Sequence, residues 1–187
     1  MARKKEYNED EVIEKAMHLF WRNGYETTSM QMLEKEMGIN KFSIYSSFGS
    51  KNGVFLESIK CYKKKLNDIL IPLQNTTNGV DGLKQYFYDF IAFSRDEHFG
   101  KGCLITNAAN ELSEEADPEI KAELRKFTAD IRNRFLLAIQ KDTNQDSEAL
   151  QRKADYFIIS MFGLASASRV FQKDQLDNYI ENIFINS

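Results

Sequence analysis

TTSMQMLEKEMGINKFSIYSSFGSK, residues 27–51, is the stretch that decides the fold. Its first half holds three apolar residues at the spacing of one buried helix face: Met30, Leu33 and Met37. Gly38 follows, and glycine commonly ends a helix because it adopts a positive φ without strain. Asn40 can then cap a second short helix over residues 41–47. Two short helices joined by so tight a turn predict a helix-turn-helix unit.

The second helix of such a unit lies in the DNA major groove, where its exposed side chains contact bases. Four residues are predicted to do so here: Lys41, Phe42, Ser43 and Ser46. Thr28 or Ser29 is expected to cap the first helix, because a hydroxyl can accept from the free amides there. Lys51 begins a third helix and faces its dipole unfavourably, which is easier to understand if the ammonium serves a DNA phosphate. Double-stranded DNA is therefore the predicted partner.

This stretch resembles the N-terminal signature of the TetR-type transcriptional regulators. The resemblance rests on an ordered series of residues: Gly24-Tyr25, Thr27-Thr28, Met37-Gly38-Ile39, Ile44-Tyr45, Phe48 and Lys51. It implies that Tyr45 and Lys51 touch DNA phosphate and that Thr28 caps a helix beside the DNA backbone. Phe42 and Ser47 depart from the family pattern, which more often has a small residue and an aromatic or histidine at those positions.

The resemblance also implies an architecture, an all-α homodimer whose N-terminal three-helix bundle carries the helix-turn-helix. We expect this DNA-binding domain over residues 1–50 and an effector-binding and dimerisation domain over residues 51–187. A long helix should join them, because apolar residues recur three and four apart from Phe55 onward. Pro72 is expected to end that helix at about Ile71. In the family a small effector usually relieves repression.

Aromatic residues at helical spacing dominate the second domain. Ten of its residues could line one cavity between helices: Tyr86, Phe87, Phe90, Phe93, Cys103, Asn107, Phe127, Ile131, Met161 and Phe162. With few charges among them, they predict a small effector that is largely apolar or aromatic. Helical spacing alone does not separate a cavity wall from ordinary core, so both interpretations stay open. Cys103 has a further one, because Lys101-Gly102 and a helix N-terminus would favour a thiolate that senses oxidants.

The last two helices are predicted to form the dimer. Residues 160–168, SMFGLASAS, are small enough to let a partner helix approach closely. This helix is expected from Ser147 to about Gln172, followed by one more. The resemblance implies that the pair meets its symmetry mate as a four-helix bundle. Tight packing within one chain is the alternative.

Charge is divided unevenly along the 187 residues. Residues 1–65 carry 12 Lys and Arg against 9 Asp and Glu, whereas residues 66–187 carry 13 against 19. A basic head on an acidic body suits DNA binding, because local cations provide the affinity and the acidic body repels DNA from the wrong face. The arm Arg3-Lys4-Lys5 is either a solvated terminus or a contact to phosphate or the minor groove.

Several function classes are disfavoured. The two histidines, His18 and His98, offer no pair for metal binding or proton relay, so neither an enzyme nor a metal or other cofactor is predicted. Two cysteines and the lack of an apolar run of about eighteen residues predict a cytoplasmic protein without a membrane span. One alternative function remains, a small-molecule-binding or sequestering protein whose helix-turn-helix no longer contacts DNA. Phe42 and Ser47 motivate it.

Overall fold

The computed structural model describes residues 7–95, 100–142 and 146–185. In these ranges the regular structure is helical, apart from one isolated β-bridge between Arg95 and Gly100. The helices are α1 (Glu9–Asn23), α2 (Met30–Met37), α3 (Lys41–Phe48), α4 (Lys51–Asn75), α5 (Gly79–Ser94), α6 (Leu104–Glu111), α7 (Pro118–Ile139), α8 (Ser147–Ala167) and α9 (Lys173–Phe184). The all-α prediction is confirmed for this part of the chain. The arm at residues 3–5 and His98 lie outside it.

The first three helices pack against the start of α4 as a small bundle, which we call the head. Asn8 caps α1 by accepting from the Asp10 amide, and Gly24, at φ 87°, ends it. One face of α1 is buried: Val12, Ile13, Ala16, Met17, Leu19, Phe20 and Trp21. Leu33 of α2 and Ile44 of α3 are also fully buried, so the three helices share one core. This bundle fixes the direction in which α3 faces solvent.

The long connecting helix α4 has the predicted buried stripe and a different end. Its buried residues include Phe55, Ile59, Tyr62, Leu66 and Leu73. The predicted end before Pro72 is wrong, because the helix continues to Asn75. A proline in the last turn removes one amide donor, and the Thr76 amide still donates to the Pro72 carbonyl. Burial of Leu73 offsets the loss.

The remaining helices enclose an aromatic core between α5, α7 and α8. Phe87 of α5 lies 6.1 Å from Phe135 of α7 and 6.3 Å from Phe157 of α8, measured between ring centroids. The predicted end of α8 near Gln172 is wrong, because α8 stops at Ala167. Gln172 instead adopts extended backbone and forms a reciprocal capping pair with Gln175, which starts α9.

Candidate nucleic-acid interface and its connection to the second domain

Helix α3 is short, and its position is fixed by contacts at its first turn. The Asn40 side chain accepts from the Ser43 amide at 2.8 Å, and Glu34 Oε1 of α2 accepts from the Lys41 amide at 3.0 Å. Gly38 in the turn has φ 71° and ψ 22°, the left-handed conformation that glycine adopts most easily. Ile44 anchors the inner face and is fully buried. The outer face of α3 is therefore held rigidly toward solvent.

That outer face presents most of the residues predicted to contact bases. Phe42 is 81% exposed and Tyr45 is 44% exposed, while Lys41 and Ser46 are also exposed. Ser43 is half-buried. The Lys41 ammonium lies 5.7 Å from the centroid of the Tyr45 ring, so these two side chains share one side of the helix. The helix offers an ammonium, a phenol, a hydroxyl and a bare phenyl ring to one surface.

Thr28 is placed differently from its predicted role. Its side chain is fully buried, and its hydroxyl donates to the Gly24 carbonyl at 2.6 Å. Ser29, which is exposed, caps α2 by accepting from the Met32 amide. The predicted cap by Thr28 is therefore corrected to Ser29, and burial keeps the Thr28 hydroxyl inside the head. Thr28 holds the link between α1 and α2.

Lys51 lies half-buried at the base of the head. Its ammonium donates to the Glu26 carbonyl at 3.3 Å and lies 4.4 Å from the centroid of the Tyr25 ring. Partial burial lowers the pKa of Lys51, while the carboxylates of Glu26 and Glu111 act in the opposite direction. Its contact with DNA phosphate stays a prediction.

Tyr7 is a neighbour of α3 that sequence reasoning missed. Its phenol oxygen lies 2.7 Å from Ser47 Oγ, which places an aromatic side chain beside the position where the family pattern more often has one. The two residues are forty positions apart, so no local pattern signalled the pair.

The comparisons with known proteins extend these observations. Residues 12–58 match the sequence profile described as "Bacterial regulatory proteins, tetR family". Over 187 aligned residues the chain is 26% identical to the biofilm operon icaADBC HTH-type negative transcriptional regulator IcaR of Staphylococcus aureus, covering 94% of this chain and 98% of IcaR. The resemblance to the TetR-type regulators is thereby confirmed. The chain is also 26% identical to the HTH-type transcriptional regulator YezE of Bacillus subtilis, covering 97% of this chain and 96% of YezE.

Solved TetR-family structures share the fold over nearly the whole length. A cysteine mutant of the regulator CifR, complexed with 26-bp double-strand operator DNA, has a TM-score of 0.89 at 22% identity and covers 99% of each chain. The reduced form of Escherichia coli NemR has a TM-score of 0.74 at 14% identity and covers 93% of each chain. These structures confirm the predicted fold, and the profile match together with the similarity to IcaR confirms the predicted DNA-binding transcriptional regulator.

Three hydrogen bonds link the head and the start of α4 to residues 102–117, around α6 and the start of α7. The Trp21 indole N–H donates to the Gly102 carbonyl at 3.0 Å, and the Glu26 amide donates to Glu111 Oε2 at 3.0 Å. Asn52 Nδ2 of α4 donates to Asp117 Oδ2 at 2.6 Å, and the Tyr25 hydroxyl donates to Asn52 Oδ1. The contacts of Gly102 and Glu111 connect the two ends of α6 to the helix-turn-helix bundle.

The ten residues predicted to line an effector site are divided by the structure. Eight are buried: Tyr86, Phe87, Phe90, Cys103, Asn107, Phe127, Ile131 and Met161. Phe162 and Phe93 are half-buried, and Phe93 lies near the head, with its ring 5.2 Å from Trp21 and 5.6 Å from Tyr62. Phe93 is therefore separated from the α5, α7 and α8 core, because the end of α5 reaches the first helix.

Tyr86 lies at the centre of the buried set. Its ring is 5.3 Å from Phe135, and its hydroxyl lies 3.5 Å from the Met161 sulfur, a weak acceptor. Burial raises the pKa of Tyr86 far above its ordinary value, and nearby Arg134 acts against that shift. Arg134 Nη1 is itself buried and has no hydrogen-bond partner among the described residues. Sequence reasoning missed Arg134, because a single arginine on a long helix carries no local signal.

Cys103 lies between the head and this core. Its side chain is fully buried, and its sulfur accepts from the Tyr62 hydroxyl at 3.3 Å. The Tyr62 ring in turn packs edge-on against Trp21 at 5.0 Å. Because oxidants react with accessible thiolates, this position favours the interpretation of Cys103 as a small packing residue. Tyr62 lies on the apolar stripe predicted from Phe55 onward, and that stripe did not predict a polar contact for it.

A larger and a smaller cavity on the described surface bear on the site. The larger, of about 980 Å³, follows α4 between α1 and α7. Most of its lining residues are charged, and Cys61 also lines it. The smaller, of about 400 Å³, lies between the end of α4 and the start of α5. Tyr86, one of the ten predicted effector residues, lines the smaller cavity together with Ile69, Pro72 and Leu73.

Two further findings concern metals and membranes. Among residues 7–95, 100–142 and 146–185, no three His, Cys, Asp or Glu side chains are grouped so that they could hold a metal ion. None of the helices in the same ranges combines the length and apolar character needed to span a bilayer.

Proposed function

We propose that this regulator is a homodimeric repressor that binds a palindromic operator and leaves it when a small, largely apolar effector binds its second domain. The observation that carries the proposal is the outer face of α3, which is rigidly held and exposes Lys41, Phe42, Tyr45 and Ser46. Repression as the sign of regulation is supported by the similarity to IcaR, which is described as a negative regulator.

In this proposal the head divides its contacts between bases and backbone. Lys41, Phe42, Ser43 and Ser46 contact base edges in the major groove, and Tyr45 and Lys51 contact phosphate. Exposed Ser29 replaces Thr28 beside the backbone, since its position at the start of α2 leaves its hydroxyl accessible. With two-fold symmetry, the half-sites lie about one helical turn apart or a multiple of it.

Release follows from coupling between the two domains, residues 1–50 and 51–187. An effector among the aromatic residues of α5, α7 and α8 would displace α6, whose flanks hold the head through Gly102, Glu111 and Asp117. Because those contacts reach both α1 and the start of α4, a displaced α6 changes the separation of the two recognition helices. A ligand shifts such an equilibrium only by its difference in affinity for the two arrangements.

The smaller cavity is the proposed entrance for the effector. It leads from solvent to Tyr86, and apolar side chains form one wall. Asp81 and Asp89 stand at this cavity, so a negatively charged effector is disfavoured there. The proposed effector is therefore a neutral or cationic compound with a large apolar part.

The proposed dimer uses α8 and α9. Several large apolar side chains are exposed on these helices and the turn between them: Tyr156, Ile159, Val170, Phe171 and Tyr179. Gly163 of α8 is exposed and carries no side chain, so a partner helix could approach closely there. An exposed apolar surface of this kind favours a protein partner, here a second copy of the chain.

The proposal includes no enzymatic activity, no cofactor and a cytoplasmic location. Relatives that match over most of their length are described as transcriptional regulators. The alternative, a sequestering protein that no longer binds DNA, is not favoured, because the helix that would contact DNA keeps its exposed face.

The test is a selection of bound fragments from random duplex DNA by the purified protein at two salt concentrations. The proposal expects a palindromic site that is still enriched at the higher salt, since specific contacts survive where phosphate contacts alone weaken. The double variant Tyr45→Ala, Lys51→Ala is the control and should lose most of the enrichment. If the native protein enriches no sequence and its binding vanishes with salt, the repressor proposal is overturned. A screen for compounds that release the protein from the site then tests the effector.

A further inference from the structure

Phe42 presents a bare phenyl ring, which the other exposed residues of α3 lack. We propose that Phe42 selects thymine at one position of each half-site by packing on the 5-methyl group of the base. The inference rests on the proposed DNA-binding function and adds a definite base preference to it.

The exposure of Phe42 is the first observation behind this inference. At 81% it is the most exposed of the large apolar side chains among the described residues. Burying an apolar side chain is favourable, so a phenyl ring held in water gains free energy when a partner covers it. Within the described part of the chain, nothing covers this ring.

The position of Phe42 on α3 is the second observation. It is the second residue of the helix, and the N-terminal residues of a recognition helix are those that approach base edges. The Asn40 cap and the contact of Glu34 with the Lys41 amide hold its backbone. Ser46 lies four residues later, one helical turn away on the same face. The ring and the hydroxyl therefore face neighbouring base pairs.

The chemistry of the major groove supplies the third step. A phenyl ring neither donates nor accepts a hydrogen bond of ordinary strength, so it gains nothing from N7, O6, O4 or an exocyclic amine. Covering those groups would leave them without water, which costs free energy. The thymine methyl is the apolar group in the groove, and it distinguishes thymine from the other three bases. Phe42 therefore favours thymine and disfavours guanine or cytosine at the base it covers.

The experiment removes the methyl group alone. Each thymine of the selected site is replaced in turn by deoxyuridine, symmetrically in both half-sites, and binding of the native protein and of Phe42→Ala is measured by fluorescence anisotropy. We expect one pair of positions where the native protein loses roughly fourfold per methyl group, or roughly fifteenfold for the pair. Phe42→Ala should bind thymine and deoxyuridine equally at that pair. Because Phe42 is exposed, the variant should fold, and its circular dichroism and melting temperature verify this.

Ser46→Ala is the matched control, since it lies on the same face and should keep the full response to methyl removal. The inference is overturned if no position discriminates thymine from deoxyuridine for the native protein. It is also overturned if deoxyuridine at the discriminating position lowers the affinity of Phe42→Ala as much as it lowers that of the native protein. In both cases the selected palindrome remains, and the proposed repressor with it. If no site is selected at all, the proposed function fails and this inference fails with it.

Discussion

Lys51 combines a structural contact with an expected DNA contact. Its ammonium already donates to the Glu26 carbonyl, yet the side chain is only half-buried, so we expect it also to contact a phosphate. We expect Lys51→Ala to weaken binding to specific and unrelated DNA by a similar factor. The dependence of log affinity on log salt should become less steep by about 0.9 per protomer, because one phosphate contact releases about that many counterions. Anisotropy titrations at four salt concentrations measure it.

Lys41→Ala is the comparison for this prediction. Lys41 is fully outside the core on α3, so its loss should relax the base preference of the selected site more than it changes the salt slope. An unchanged slope for Lys51→Ala, with a lower melting temperature, would mean that Lys51 only holds the head together.

Asp117 gives a prediction about pH. Its carboxylate accepts from Asn52 Nδ2 and from the Glu119 amide, and these hydrogen bonds lower its pKa below the ordinary 3.8. The ionised Asp117 carboxylate therefore stabilises the folded state. The contribution is complete above the unfolded pKa and is lost as the pH falls through the folded pKa. Asp117→Asn keeps the helix cap without titrating, so its stability deficit relative to the native protein should shrink below about pH 4.

Urea unfolding at several pH values between neutrality and about pH 3 measures that deficit. A constant difference across the range would show that Asp117 and Asn52 do not interact through charge in solution.

Individual contacts were the least predictable part of the head. Thr28 and Ser29 are adjacent hydroxyl residues, and sequence could not decide between them, because which one is buried depends on how α1 packs on α2. The pairing of Tyr7 with Ser47 joins residues far apart in sequence, and local patterns carry no information about such pairs.

Among the helices, α6 has a role out of proportion to its eight residues. It is preceded by Gly102, which accepts from the Trp21 indole, and it ends at Glu111, which accepts from the Glu26 amide. A short helix held at both ends moves as a unit, so a shift on its body side is transmitted to the head. This is why the proposed release passes through α6.

Trp21→Phe tests that connection. The variant keeps an aromatic ring beside Tyr62 and Phe93 but leaves the buried Gly102 carbonyl without its donor. We expect the free energy of unfolding to fall by about 1–3 kcal/mol. Binding to the selected site should change little, while release by an effector found in the screen should need a higher concentration.

Tyr156→Phe is the matched control, because it also removes one polar atom from an aromatic side chain but at a site that is 51% exposed. If Trp21→Phe were as stable and as responsive as this control, α6 would not connect the domains through Trp21.

The helices themselves were largely predictable, whereas two of their ends were not. Apolar spacing identified α4 and α8 because burial follows the helical period directly. The end of α4 was misplaced because Pro72 loses only one hydrogen bond in a last turn, and that of α8 because Gln172 pairs with Gln175 to start the next helix. Cavity and core residues could not be separated, since neighbours such as Tyr62 and Arg134 come from other helices.

The whole molecule is a weakly basic head on an acidic body, and its proposed symmetry depends on α8 and α9. A C2 interface is self-complementary, so one substitution changes both sides of it. A palindromic site gains affinity because the second head binds at a high effective concentration once the first is bound. Separation of the protomers should therefore damage DNA binding even though α8 lies far from α3 in sequence.

Ile159→Asp tests this directly. Ile159 is 70% exposed on α8, so a charge there should leave the fold of one protomer intact while placing two carboxylates in the proposed interface. Sedimentation velocity should show a monomer at micromolar concentration, and affinity for the full palindrome should fall roughly a hundredfold or more, toward that for one half-site. Leu137→Asp, at 62% exposed on α7, introduces the same charge on a helix outside the proposed interface and should leave dimer and affinity unchanged. A dimeric Ile159→Asp beside a monomeric Leu137→Asp would move the interface to α7, because charge is tolerated only where no partner covers it.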